Sequence, residues 1–239
     1  MGTRYSAVAL GRRFWTRPDA DRQTAVGERP QSGKYVQAGD HWLARAVGSA
    51  DTLLRRCHGV REFTGKRTCL FRIAVRRATH EITLSCGRTV HPGQPIVELH
   101  LWNEHFLRIP QDRPNLAWAK LMRRRFRDSL SDLANHLDGC EDFDGAVAVC
   151  GCGGIAYEGN GGKIVHFMQK FGFEVFPCPQ RNPAGRIIDF FCDLWVFFLV
   201  CAFNPRSARA DLLFRRRYEL WISRETLSRS FGLFGDRPV

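Results

Sequence analysis

Residues 95–106 read PIVELHLWNEHF. Alternation sorts the first eight into two faces, with Val97, Leu99 and Leu101 on one and Glu98, His100 and Trp102 on the other. The first face is core. The second presents a carboxylate, an imidazole and an indole. Asn103, Glu104 and His105 follow at the strand end, where polar groups escape burial and can converge on a ligand.

Upstream, TCLFRIAVRRA (68–78) and HEITLSC (80–86) are two further strand candidates, and HPGQP (91–95) is turn chemistry before the third. Together they predict an antiparallel meander. Asp40 offers an N-cap to a helix through HWLARAVGSADTLLRRC. Downstream, Asn115 caps LAWAKLMRRRFRDSLSDLANHLD, whose Leu116, Ala119, Met122, Phe126, Leu130, Leu133 and Leu137 form one apolar side before Gly139 ends the helix. A strand AVAVCGCGGIAY, a turn EGNGG, a helix KIVHFMQKFG and a strand FEVF come next. An apolar helix over 187–203, a strand RRRYELWIS and a short helix from Arg224 to Phe231 complete the order. The sum is an α/β (α+β) domain over residues 40–235, with a single mixed, mainly antiparallel sheet and flanking helices. Residues 1–38 contain TRPDADRQTAVGERPQSGK, and read as a disordered or loosely attached tail.

With 44% hydrophobic and 12% aromatic residues in a chain of 239, a sizeable core is available and a mostly disordered protein is excluded. Thirty-six Lys and Arg against 24 Asp and Glu leave a net charge of +12, which favours anionic partners. No recognisable nucleic-acid module accompanies that charge, so nucleic acid is not expected. Arg123, Arg124 and Arg127 lie early in their helix, where positive charge opposes the dipole; they are candidate anion-binding residues, or one salt-bridged exposed face.

The nine cysteines lack the even spacing of a secreted disulfide framework, and the longest early apolar run is SAVAL (6–10), so a reducing cytoplasm is expected. Cys150 and Cys152 share a strand face. Cys140 and Cys178 are conceivable further ligands, but without a CxxC pair the reading is buried structural thiols and no metal. IIDFFCDLWVFFLVCAF (187–203) is too short, with Asp189 and Asp193 in it, to span a bilayer. It reads as a core helix, or as an interfacial helix on an anionic membrane at the inner face.

In the opening stretch, Glu98, His100 and Glu104 are the candidate acid/base groups, since a carboxylate beside an imidazole orients its tautomer. Trp102, Asn103 and His105 are the candidate substrate-binding residues, Trp102 as a stacking surface. The plainer alternative pairs Glu98 with an Arg across the sheet and starts a turn at Asn103. EGNGG could cradle a phosphate or simply turn the chain.

ELHLWNEHF, followed by LAWAKLMRRRFRDSL and the late YELWISRETL, resembles the YkoP-like family of bacterial proteins. The resemblance implies association with polysaccharide deacetylases, and hence an envelope glycan or lipid precursor as substrate, or an accessory role beside an envelope enzyme. No deacetylase metal motif is present. The element order is also similar to the GCN5-related acetyltransferase fold, which implies an acetyltransferase-like sheet and coenzyme A. The stretch matching that family's pyrophosphate loop is RIPQDRPNLAW, which lacks its glycines, so no cofactor is assigned.

Overall fold

The strand that carries ELHL is β4 (Pro95–Leu101), and it lies antiparallel to β1 (Phe71–Arg77), with a register running from Phe71 opposite Leu101 to Arg77 opposite Pro95. This computed structural model describes residues 40–110, 115–156, 161–179, 182–205 and 216–232. The expected meander is corrected at its middle strand. Ala78 N–H donates to Gln94 O and Gly93 N–H to Ala78 O, which closes β1 directly onto β4. Gly93, at φ 85, supplies the left-handed residue that this closure needs. The segment between becomes a small ribbon of β2 (Ile82–Thr83) and β3 (Thr89–Val90), outside the main sheet.

After β4 comes a 3-10 turn over Asn103–His105, then α2 (Leu116–Asp138), whose first turn is capped as expected by the Asn115 side chain accepting from Trp118 N–H at 2.9 Å. β5 (Ala148–Ala156), α3 (Gly161–Gln169), β6 (Glu174–Pro177), α4 (Pro183–Phe203), β7 (Arg216–Ser223) and α5 (Arg224–Phe231) follow, and α1 (Asp40–Cys57) precedes them all. Among the described residues the main sheet has five strands, in the order β1-β4-β5-β7-β6. β4 and β5 are parallel and share only Val97 opposite Val149 and Glu98 opposite Cys150; every other pairing is antiparallel. A mixed, mostly antiparallel sheet with flanking helices is therefore the architecture.

One face of this sheet is apolar. Phe71, Ile73, Val97, Val149, Leu220 and Ile222 pack against Phe126, Leu130, Leu133 and Leu137 of α2 and Leu227 of α5. Arg224 donates to the Leu137 and Phe143 carbonyls and so ties the end of α2 to the start of α5. The opposite face is divided. Ile82, Leu84 and Val90 of the ribbon cover Ile96, Ala148, Cys150 and Trp221, and beyond this cap the face turns polar.

The helix 187–203 departs from its core reading. α4 begins earlier, at Pro183, with Asn182 as N-cap, and only Leu199 along it is buried. Ile187, Ile188 and Phe191 are 60%, 58% and 61% exposed, because the inward side of the helix is taken by Asp189 and Asp193, both paired with Arg217. The tail (1–38) and most of the EGNGG turn lie outside the described residues.

Leu133→Ala should lose about 2–5 kcal/mol in urea unfolding, because its site is sealed between α2 and the sheet. The same change at Leu116, 71% exposed on the same helix, should alter stability by less than about 0.5 kcal/mol.

Candidate functional site

The alternation that buries Val97 sends Glu98 and His100 to the other face, and strand register continues their row across the sheet. Arg72 stands opposite His100, Cys150 lies beside Glu98, Trp221 lies opposite Cys150, and Glu219 opposite Cys152. The resulting band is polar at its two ends, with α1 contributing Asp51 at the β1 end and α4 contributing Asp189 and Asp193 at the β6 end, while Cys150 and Trp221 lie under the ribbon between them.

At the β1 end of the band, Arg76 Nε donates to Glu98 at 3.1 Å, and His100 Nε2 lies 3.2 Å from the same carboxylate. Burial works to raise the Glu98 pKa, but the His100 contact and the Arg76 charge outweigh it and hold the carboxyl below its ordinary value. Glu98 and His100 are both half-buried, and so within reach of solvent.

The other residues expected at this site secure the strand end. Trp102 is 8% exposed, with the Arg72 guanidinium over its ring at 4.2 Å and the His105 ring stacked on it at 3.7 Å. Arg72 is itself buried, against Asp51 at 3.3 Å, Glu62 at 3.5 Å and Glu104 at 3.5 Å. Burial lowers the guanidinium pKa and Glu104 is the chief opposing influence. His105 Nδ1 donates to the Cys69 carbonyl at 2.8 Å, and Asn103 begins the 3-10 turn. Arg123, Arg124 and Arg127 stand exposed on α2, which packs on the apolar face, so they do not join Glu98 and His100; Arg124 pairs with Asp128 at 3.7 Å.

At the β6 end, the structure brings Cys178, a conceivable partner of Cys152 in the sequence, together with His80, Arg217 and Glu219, which no sequence pattern joins to them. A cavity of about 300 Å³ is lined by Thr79, His80, Cys152, Cys178, Pro179, Asp189, Arg217 and Glu219. The Cys152 and Cys178 sulfurs are 3.4 Å apart. His80 Nε2 lies 3.1 Å from Glu219, which also accepts from Trp221 Nε1 at 2.9 Å. The Cys178 thiol, hydrogen-bonded to Cys152, lowers the latter's pKa to about 7; burial opposes this and the Arg217 charge assists it. The same contact pushes the Cys178 thiol upward. Cys150, under the ribbon, is pushed up by burial and is inert. Cys140 packs against the core on the apolar side, away from this group. Among the described residues no three His, Cys, Asp or Glu side chains are arranged to hold a metal ion.

Part of this cavity was legible: alternation along RRRYELWIS puts Arg217, Glu219 and Trp221 on one face. Nothing local marks His80, or pairs Cys178 with Cys152.

Fold and site together define a mixed α/β domain whose ionisable groups are collected on one sheet face. The chain belongs to the YkoP family: the model of the YkoP domain matches residues 41–231. No curated protein and no solved structure was found similar to the chain, so the likeness to acetyltransferases gains no support from that side.

Arg72→Leu should cost roughly 3 kcal/mol, since Glu104 loses its cation, Trp102 loses the guanidinium over its ring and Asp51 keeps only Arg55, at 3.0 Å. Glu98, depressed in the folded state, contributes stability that is present above its unfolded pKa of about 4.3 and is lost as pH falls through the lower folded value. Chemical denaturation between about pH 5 and pH 3 should therefore show a steeper loss for the native chain than for Glu98→Gln.

Proposed function

We propose that this domain docks on an anionic membrane surface, at the inner face of the bilayer, as a binding or accessory module for envelope chemistry. The observation that carries the reading is the outward face of α4, where Ile187, Ile188, Phe190 and Phe191 stand exposed within two turns. Exposed apolar side chains clustered in this way mark an interaction site. Their setting favours an anionic bilayer over a neutral protein surface. The chain carries +12, Arg186 is exposed beside the apolar cluster, and in sequence Arg206 and Arg209 follow the helix. No helix among the described residues is long and apolar enough to cross a membrane, which is consistent with contact at the surface. α1 adds the exposed Leu53 and Leu54, and its Gly48 lies against Phe203 of α4. The envelope setting rests on the association with polysaccharide deacetylases that the resemblance implies.

The half-buried Glu98–His100 pair favours a second reading, group transfer onto an envelope glycan or lipid precursor with His100 moving the proton. Calorimetric titration with acetyl-coenzyme A addresses that reading, and absence of heat would remove coenzyme A as the donor.

Co-sedimentation with vesicles tests the first. Vesicles containing phosphatidylglycerol should retain the protein and purely zwitterionic ones should not, with retention falling as salt is raised. A double change, Ile187→Asp with Phe191→Asp, should reduce partitioning by about tenfold or more while leaving the unfolding transition in place. Equal binding to both vesicle types, or an unaffected double variant, would overturn membrane docking.

A further inference from the structure

We infer that Cys152 and Cys178 form a thiol–disulfide exchange site that reduces small disulfides bearing neutral or cationic arms. The two sulfurs lie 3.4 Å apart beside a cavity of about 300 Å³, and the surroundings assign them unequal roles. Cys152 is exposed, whereas Cys178 is partly covered. Arg217 stands beside Cys152 and stabilises negative charge on its sulfur. Cys152 is therefore the attacking thiolate, and Cys178 the resolving thiol held against it.

The backbone explains why they meet. Cys152 lies opposite Glu219, and Cys178 N–H donates to the Arg217 carbonyl at 3.1 Å, continuing the β6–β7 ladder one residue past Pro177. Cys152 thus comes from β5 and Cys178 from just past the end of β6, the two strands that flank β7. Closing the bond brings the two sulfurs from 3.4 Å to about 2 Å.

The exchange balances within the site. The Cys152 thiolate attacks one sulfur of R–S–S–R, forming the Cys152–S–S–R mixed disulfide and expelling R–S⁻, which takes a proton from solvent. The Cys178 sulfur then attacks Sγ of Cys152, its own proton passing to the departing R–S⁻. The Cys152–Cys178 disulfide and two R–SH molecules result, a two-electron reduction of the substrate. A low-molecular-weight thiol regenerates the pair, being oxidised to its own disulfide.

Charge sets the substrate class. Glu219 and Asp189 line the cavity, and the cation of Arg217 is shared with Asp189 at 2.9 Å and Asp193 at 3.7 Å. The two carboxylates outnumber the one guanidinium among the charged side chains lining the cavity, which favours an ammonium or neutral arm over an anionic one.

The full chain is equilibrated in glutathione redox buffers and its disulfides are mapped by peptide mass spectrometry. Oxidising buffers should yield a Cys152–Cys178 cross-link that reducing buffers remove. With cystamine, Cys178→Ser should accumulate a mixed disulfide on Cys152, and Cys152→Ser should form none on Cys178. Cystamine should oxidise the native pair about tenfold faster than oxidised glutathione. Iodoacetamide should modify Cys152 with a midpoint near pH 7, ahead of the exposed Cys57. Absence of the cross-link at every poise, or alkylation of Cys152 no faster than Cys57 at pH 7, would overturn the site. Faster oxidation by glutathione disulfide than by cystamine would overturn the substrate class.

Discussion

The pairing of β1 with β4 gives the sheet two unlike faces, and the rest of the molecule answers to that difference. Val97 and Leu99 on one side commit α2 and α5 to cover them. On the other side, Arg72, Arg76, Glu98 and His100 cannot be buried under an apolar helix without partners, because an unpaired buried charge costs several kcal/mol. The chain meets this with acidic residues from elements far apart in sequence: Asp51 from α1 for Arg72, and Asp189 and Asp193 from α4 for Arg217. The second layer is thus held to the sheet by charge where the first is held by apolar contact. A helix attached in this way keeps its apolar side chains for something else, which is the physical origin of the exposed face of α4.

The small ribbon of β2 and β3 decides where the polar face begins. It seals Cys150 and Trp221 and stops short of Cys152 and Glu219. Cys150 and Cys152, two residues apart on one strand face, are by this division an inert thiol and a reactive one. The reactive one owes its character to Arg217 and Cys178, both brought by the β5–β7–β6 register.

Period-2 alternation made β1, β4 and β7 legible, and the Asn115 cap with its 3.6-residue apolar pattern made α2 legible, because those signals are local. The ribbon is not legible as one because Ile82 and Leu84 alternate like a sheet strand, while β2 pairs only with β3 and the two cover the sheet instead of joining it. α4 misled for a related reason: apolar composition says that a face seeks cover without saying what provides it, and Asp189 and Asp193 were the sign that its inward side was polar. At the site, Glu98 and His100 were readable as neighbours along one strand. The roles of Trp102 and Glu104 turned on Arg72, thirty or so residues away and invisible to any local pattern. Cys152 and Cys178 are separated by 26 residues, a helix and a strand, so only the strand order joins them.

Arg217 is where the outer layer and the thiol pair meet. Its guanidinium neutralises two carboxylates of α4 and also stabilises negative charge on Cys152, and the resulting pull from three anions keeps it fully charged despite its burial. Asp193 tends upward through burial, with Arg217 opposing that tendency. A single cation divided among three partners cannot be moved toward one without being withdrawn from the others. The geometry of α4 against the sheet and the acidity of the Cys152 thiol are therefore set by one side chain, and whatever shifts the helix must be felt at the sulfur.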